Sequence, residues 1–550
     1  MKRTWWKESV IYQIYPRSFK DSNGDGIGDL RGIIQKLDYL QELGIDIIWL
    51  NPIYQSPNDD NGYDISDYYA IMDEFGTMAD FDELLAAAHQ RGIRILMDLV
   101  VNHTSDEHFW FQEARKSKDN PYRDYYFWKP EPACNWPSFF SGNVWELEEH
   151  TGEYYLHLFS KKQPDLNWEN PKLRQEVYQL MRFWLDKGID GFRMDVIPMI
   201  SKRLDFPDVD TADFGRIIVE VYANGPRVHE FLQEMYREAL ADYDVMTVGE
   251  GAGITPQMAN DYVGEDRNEL SMIFHFGHMA IDHGPGGRFD HKSWELPVFK
   301  RVFSEWHQAV GERGWVNVFL DNHDFPRMLS RFGNDKNYRV ESAKLLATML
   351  LTMRGTPCIY YGSEIGMTNI ELENWAEVND IEARNAYQMA IRDGMDTAQL
   401  LQAVNLNGRD NARTPMQWDD SQYAGFSTAK PWLKLNPNYT DINAAKDLRD
   451  PASIFRYYQR LLRLRKANPT LIYGDFEDLA PDHPRLYAYR RKDEAGMFYI
   501  CLNFSDKAID FLLLPKDQKL ELILFNYDDI DAILLKPWEA RVYKAGTAAR

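Results

Sequence analysis

The chain has 550 residues, with 62 Lys plus Arg against 85 Asp plus Glu and a formal charge of −23. Such a polyanion argues against binding to a phosphate backbone, which depends on Lys and Arg. With 44% hydrophobic and 14% aromatic residues, the chain can bury a large core and is not of disordered composition.

No apolar run reaches the ~18 residues of a membrane span. The start, MKRTWWKESVIYQIYPRSF, has no apolar stretch before a small-residue cleavage site, so no secretory signal is expected. Three scattered cysteines, Cys134, Cys358 and Cys501, make neither a disulfide framework nor a CxxC metal site. A soluble, acidic, cytoplasmic protein is the expectation.

In chain order, the first apolar run is VIYQIYPRSF (10–19). A polar loop, DSNGDGIGD (21–29), precedes an amphipathic stretch over 30–44. The run IDIIWLNP (45–52), a helical pattern over 81–92 and the run IRILMDLVVNH (93–103) follow. Residues 104–169 are rich in Trp, Tyr, Phe, Pro and Asn and too long for a simple connection, which predicts an inserted subdomain. After a helix over 173–188 come the runs IDGFRMDVI (189–197), VMTVGE (245–250), SMIFHF (271–276), WVNVFLDNH (315–323) and TPCIYYG (356–362). The stretches 81–92 and 173–188 both end in Gly, a common helix stop.

Eight apolar runs alternating with helical patterns predict an α/β fold, a (β/α)8 TIM barrel. The barrel is assigned to residues 1–103 and 170–474, with a long polar insertion over about 363–450. From 475 to 550 short alternating runs predict a C-terminal antiparallel β domain, of sandwich type.

Polar residues interrupt four of the eight runs at the same end. MDLVVNH ends in Asn102–His103, FRMD sets Arg193 and Asp195 on one side of a strand, TVGE ends in Glu250, and FLDNHD ends in His323–Asp324. Taken singly, each carboxylate reads as readily as a solvated surface group. Together they match barrels whose active sites form at the C-terminal strand ends. Two carboxylates support glycosyl transfer to water: one attacks the anomeric carbon, and the other protonates the leaving oxygen and later deprotonates water. Arg193 would hold Asp195 ionised as nucleophile, leaving Glu250 as the acid. A metal-hydrolase reading lacks an HExxH or similar ligand pair.

At these residues the sequence resembles the α-amylase family of glycoside hydrolases, and within it the oligo-1,6-glucosidase group with its isomaltase, dextran glucosidase and sucrose isomerase relatives. DLVVNH (98–103), GFRMDV (191–196), VGE (248–250) and NHD (322–324) resemble the family's four strand-end motifs in order, and QPDLNW (163–168) the motif closing the inserted subdomain. The resemblance runs from WWKESVIYQIYPRSF to the C-terminal domain. It implies Asp195 as nucleophile, Glu250 as acid/base and Asp324 as a transition-state-stabilising carboxylate. It implies His103, Gln163, Arg193 and His323 around one glucose, Tyr63 as its stacking platform and Asp64 as the clamp on its hydroxyls. Arg409 and Arg413, in GRDNAR, would add cations to that subsite, and Glu382 would meet the second sugar. Val196, after the nucleophile, goes with α-1,6 cleavage in this group. The outcome implied is retention of configuration by an exo-acting enzyme on short oligosaccharides.

The 21–29 loop has oxygen donors at positions 1, 3, 5 and 9 and Gly at 6, like the start of an EF-hand loop. The group often carries a structural Ca²⁺ here, which Mg²⁺ could replace; the ligands implied are Asp21, Asn23, Asp25, the Ile27 carbonyl and Asp29. No organic cofactor, nucleic-acid partner or membrane partner is expected, and the chain should act as a monomer. Two stretches depart from the group: EGAGI (250–254), and HDFPRMLSRFGND (323–335), which lacks the arginine-rich loop of sucrose isomerases. A preference for α-1,4 substrates, sucrose or trehalulose, or isomerisation and transglucosylation through the same intermediate, are the competing readings. A catalytically dead relative is disfavoured because all three carboxylates are present.

Overall fold

In a computed structural model, described for residues 2–511, 514–515 and 518–546, each of the eight apolar runs contains one barrel strand. They are β1 (Ile11–Ile14), β2 (Ile47–Leu50), β3 (Arg94–Leu99), β4 (Gly191–Met194), β5 (Met246–Glu250), β6 (Met272–Phe274), β7 (Asn317–Val318) and β8 (Thr356–Tyr360). All pairings are parallel, in the order β7-β8-β1-β2-β3-β4-β5-β6. A parallel bridge from Ile273 to Val316 joins the two ends and closes the barrel. Every residue of β1, β2, β4, β5 and β8 is buried, as continuous apolar runs in a parallel sheet require. The strands are shorter than the runs because the polar tails leave the ladder. β7 keeps only two residues of the run 315–323, and its tail LDNH leaves the strand.

Local chemistry sets the helices. Thr77 and Asp80 form a reciprocal capping box, so the helix predicted at 81 starts at Met78 and runs to Gln90. The helix Pro171–Lys187 opens on an Asn170 cap and stops at Gly188, whose φ of 101° suits a residue without Cβ. The pattern over 30–44 is two helices, Leu30–Gln35 and Leu37–Leu43, broken where Lys36 leaves helical geometry (φ −109°, ψ 4°). A side chain at Gly191, opening β4, would meet the Met246 carbonyl oxygen at 1.9 Å; glycine therefore lets β4 and β5 approach.

Two additions frame the barrel mouth. Residues 104–169 hold a helix, Phe109–Ala114, and a three-stranded antiparallel sheet with Glu153–Leu156 between Trp128–Lys129 and Trp145–Glu148. Their core, including Trp136, Val144 and Leu156, is continuous with Val196 and Met199, just past β4. After β8 the chain forms the helices Ile381–Arg392 and Thr397–Asn407. Asn385 on the first donates to the Phe140 carbonyl at 2.8 Å, tying the two additions together.

The C-terminal domain is a five-stranded antiparallel sheet in the order Asp475–Asp478, Leu486–Lys492, Met497–Asn503, Ala540–Ala545, Leu520–Phe525. A two-stranded ribbon, Ile509–Asp510 with Leu534–Leu535, packs on it over Leu486, Ala488 and Cys501. Buried Arg491 docks this sheet by donating to the Leu471 and Gly474 carbonyls, both at 2.8 Å. The three cysteines are buried and unpaired. Among the described residues no helix is long and apolar enough to cross a membrane.

Candidate active site

A cavity of about 290 Å³ lies at the C-terminal ends of the strands. Of the residues singled out in the sequence, Tyr63, His103, Asp195, Val196, Glu250, His323, Asp324, Glu382 and Arg409 line it. Gln163, Arg193 and Arg413 do not line it but contact residues that do, His103, Asp195 and Asp324 respectively. Gln163 Nε2 lies 3.3 Å from His103 Nε2 and 3.4 Å from the Tyr63 carbonyl.

Arg193 is the hub of the floor. It is 1% exposed; its Nη1 donates to Asp98 Oδ1 and Asp195 Oδ1, each at 2.7 Å, and its Nη2 to Glu250 Oε2 at 2.7 Å. The two carboxylates therefore share one guanidinium, and Arg193 does not single out Asp195 as the ionised partner. Burial, with Glu250 and Asp98 nearby, pushes the Asp195 carboxyl well above the usual carboxylate range against the pull of Arg193. Arg193 pulls the Asp195 carboxyl down, as the sequence leads one to expect, but is not its private partner. Three acids crowd one cation.

Val196 has φ 34° and ψ 39°, a left-handed conformation that is a genuine outlier for a β-branched residue. In that conformation its N–H donates to Glu250 Oε2 at 2.9 Å while its side chain faces the cavity. The Val196 N–H and Arg193 thus both hold the Glu250 carboxylate. His103 donates Nε2–H toward the Tyr63 carbonyl at 3.1 Å. Burial pushes its imidazole down to about 4, so it is neutral at pH 7.

Across the cavity, Asp324 is held by three neighbours. His323 Nε2 lies 2.9 Å from its Oδ2, Arg413 Nη2 donates to Oδ1 at 3.1 Å, and Arg409 Nη1 to the same oxygen at 3.3 Å. Burial alone would raise this carboxyl, but the hydrogen bond from His323 and the charges of Arg409 and Arg413 outweigh it and hold Asp324 well below the usual range. Arg409 also reaches Asp60 Oδ1 at 3.2 Å and Asp380 Oδ1 at 2.7 Å. Glu382 faces Arg288 at 3.4 Å.

Asp64 is the residue the site does not recruit. Its carboxylate is fully buried in its own loop, accepting from Asp59 N–H (2.8 Å), Asp60 N–H (3.1 Å) and Ser56 Oγ (3.0 Å). Asp60, four residues earlier, lines the cavity and pairs with Arg409 instead. The correction follows from chain direction: the loop closes on Asp64 as an acceptor for its own amides and turns Asp60 outward. Asp59, Asp60 and Asp64 are equivalent by composition, and only the turn distinguishes them. Also missed were Asp98, read as a strand residue of DLVVNH, and Arg288, from the hairpin after β6. The aromatic wall, Phe139, Phe140 and Phe159, was legible only as an aromatic-rich insertion.

The 21–29 loop satisfies itself. Asp21 accepts from the N–H groups of Asn23 (2.9 Å), Gly24 (2.7 Å) and Gly26 (2.8 Å); Asp25 accepts from Ile27 N–H (2.8 Å). Asp29 caps the helix Leu30–Gln35 through Gly32 N–H (2.6 Å) and takes Ser22 N–H (2.8 Å). Among the described residues no three acidic, His or Cys side chains converge as a metal cluster. The donors are all oxygens, the type a hard cation takes.

The family described as "Alpha amylase, catalytic domain" matches residues 13–474. An oligo-1,6-glucosidase of Parageobacillus thermoglucosidasius is 55% identical over 559 residues, covering 99% of either chain. One of Bacillus cereus is 54% identical over 558 residues, covering 99% of this chain and 100% of its own. Among solved structures, isomaltulose synthase from Klebsiella sp. LX3 superposes with a TM-score of 0.96 at 45% identity, covering 99% of this chain and 100% of its own.

Proposed function

The chain belongs to the α-amylase family of glycoside hydrolases, and from that premise we propose that it is a retaining exo-α-glucosidase acting on terminal α-1,6-linked glucose of short oligosaccharides. The observation carrying this reading is a pair of carboxylates, Asp195 and Glu250, on the two terminal nitrogens of Arg193, in a cavity flanked by the Asp60–Arg409 ion pair. Carboxylates tied to adjacent nitrogens of one planar group suit direct attack, not two acids opposed across a water.

In the first half-reaction an Asp195 oxygen bonds to the anomeric carbon as the glycosidic C–O bond breaks. Glu250 gives its proton to the departing oxygen. In the second, water attacks the glucosyl-Asp carbon, Glu250 takes the water proton and Asp195 leaves. Asp324, kept ionised by its cations, grips ring hydroxyls that Tyr63 underlies. Arg193 supplies charge to whichever carboxylate is ionised at each stage.

Linkage is tested by glucose release from equal concentrations of isomaltose, maltose and sucrose. The expected order puts isomaltose first; maltose or sucrose leading would replace the α-1,6 assignment. Isomaltulose or trehalulose among the sucrose products would move the chain toward the isomerising relatives. Val196 carries the linkage argument, since its side chain lies at the cavity wall beside Asp195. Val196→Thr, equal in shape but polar, should raise the maltose-to-isomaltose ratio of kcat/KM by roughly tenfold, the scale of a single pocket contact. An unchanged ratio would make Val196 a backbone positioner only.

We propose further that the 21–29 loop takes one Ca²⁺, or Mg²⁺, through Asp21, Asn23, Asp25, Asp29 and the Ile27 carbonyl, with no part in the chemistry. The support is its oxygen-only donor set. Millimolar Ca²⁺ should raise Tm and EDTA should remove the gain; a Tm indifferent to both would leave the loop held by its own hydrogen bonds. A cytoplasmic monomer is proposed with this function, three buried unpaired thiols being suited to a reducing compartment.

A further inference from the structure

A buried chain of hydrogen bonds runs beneath the cavity, from the β3 strand to the far side of the barrel. Its donor directions can be assigned one after another. Asp98 is salt-bridged to Arg193 at 2.7 Å and also takes Trp49 Nε1–H at 3.2 Å, so it offers acceptors only. Tyr63 OH must therefore give its single proton to Asp98 Oδ2, at 2.9 Å. The phenol oxygen is then an acceptor, and Asn51 Nδ2 donates to it at 2.7 Å. That orients Asn51 with Oδ1 on the other side, where Gln13 Nε2 donates at 2.9 Å. The second hydrogen of the same Gln13 amide points to His323 Nδ1, also at 2.9 Å.

We propose that Gln13 is a positioning residue that fixes His323 in the tautomer carrying its proton on Nε2, aimed at Asp324 and the sugar. A nitrogen facing an amide N–H must accept, so Nδ1 is bare and the ring proton sits on Nε2, 2.9 Å from Asp324 Oδ2. Rotation of the ring offers no escape. Tyr63 stacks on His323 at 5.1 Å and 6°, and Tyr15 lies nearly parallel at 6.4 Å and 17°. Gln13 is fully buried, in register with Trp49 on β2 and Tyr360 on β8. Its own carbonyl oxygen is buried with no partner. The network therefore sets the amide's orientation at the expense of the glutamine's own satisfaction. Turning the amide over would put its oxygen against Asn51 Oδ1 and demand a proton on Nδ1. One chain of donors thus links the cluster holding Asp195 and Glu250 to the donor beside Asp324. The reading of what His323 does rests on the proposed glucosidase function; its tautomer does not.

The test is two-bond ¹H–¹⁵N correlation NMR on ¹⁵N-histidine-labelled protein without substrate, His323 being assigned by the signals lost in His323→Gln. The wild type should show a protonated Nε2 and a bare Nδ1 at neutral pH. Gln13→Glu, of the same shape but presenting acceptors, should move the proton to Nδ1. It should also lower kcat by at least about tenfold with KM changed little, as a wrong tautomer does elsewhere. Gln13→Met, without donor or acceptor, should give a mixture of tautomers and an intermediate kcat. A wild-type His323 with its proton on Nδ1, or on both nitrogens, would overturn the proposal whatever the variants do. If instead Asp195→Asn kept its activity, the glucosidase mechanism would fail while the tautomer result stood.

Discussion

Asp195→Asn is expected to lower kcat on isomaltose by roughly four orders of magnitude, and Glu250→Gln by a comparable factor. The two losses should be separable by leaving group. With p-nitrophenyl α-glucoside the departing phenolate needs no proton, so Glu250→Gln should recover much of its first half-reaction and release a burst of p-nitrophenol. Asp195→Asn should recover nothing, because the missing group is the one that bonds to carbon. The opposite pattern, rescue of Asp195→Asn and none for Glu250→Gln, would exchange the two roles. The kinetic separation is needed because Arg193 touches both acids at 2.7 Å and does not rank them. Stability should move the other way from activity. The Asp195 carboxyl is raised by burial and by neighbouring acids, so ionised Asp195 costs stability at neutral pH. The cost grows as pH rises above the unfolded carboxyl's value, and Asn removes it. Tm of Asp195→Asn at pH 7 should equal or exceed that of the wild type; a marked fall would mean that the carboxylate holds the fold.

The barrel was legible because its strands bury both faces, which leaves unbroken apolar runs such as Ile47–Leu50 and Met272–Phe274. The cavity carboxylates Asp195, Glu250 and Asp324 were legible for the related reason that they follow or end such runs. Residues brought in by loops left weaker signals. Asp60 and Asp64 differ in the sequence by position alone. The fact that selects Asp60, that Asp64 accepts two amides of the turn, exists only once the turn has formed. Arg288 arrives on a hairpin with no periodicity to mark it, and its donation to the Asp324 carbonyl depends on packing between distant segments. Gln13 was hidden for the opposite reason. It sits within an otherwise apolar strand, IYQI, where a single polar residue carries no directional information until Asn51, just past β2, and His323, past β7, are in place. The ordering of charge was the least legible feature. Two residues' spacing suggested a private pair between Arg193 and Asp195, whereas closure of the barrel makes Arg193 common to three acids.

The second large effect concerns the cavity wall where Asp60 meets Arg409. Asp60→Asn should lower kcat/KM for isomaltose by roughly 30- to 1000-fold, the range for losing a buried charged contact to a substrate hydroxyl. Most of the loss should appear with the natural disaccharide as both a raised KM and a lowered kcat, since the same contact orients the ring for attack at its anomeric carbon. Arg409 remains anchored in this variant by Asp380 at 2.7 Å and by Asp324 at 3.3 Å, so the cation should stay in place and the fold should survive. Asp64→Asn provides the contrast. Asp64 does not face the cavity, but an amide NH₂ in its place would confront a backbone N–H that now has an acceptor. The expected result is a lowered Tm with kcat/KM within about threefold of wild type below that Tm, since the lost interaction is structural. Burial lifts the Asp64 carboxyl to about 7, against the pull of the Asp60 and Asp59 N–H groups. Burial raises the Asp60 carboxyl too, against the pull of Arg409; what distinguishes Asp60 is that it lines the cavity and pairs with that arginine. Measuring both variants on isomaltose decides which aspartate of the 56–64 turn grips the sugar. A large kcat/KM loss in Asp64→Asn with Asp60→Asn unaffected would return the clamp to Asp64.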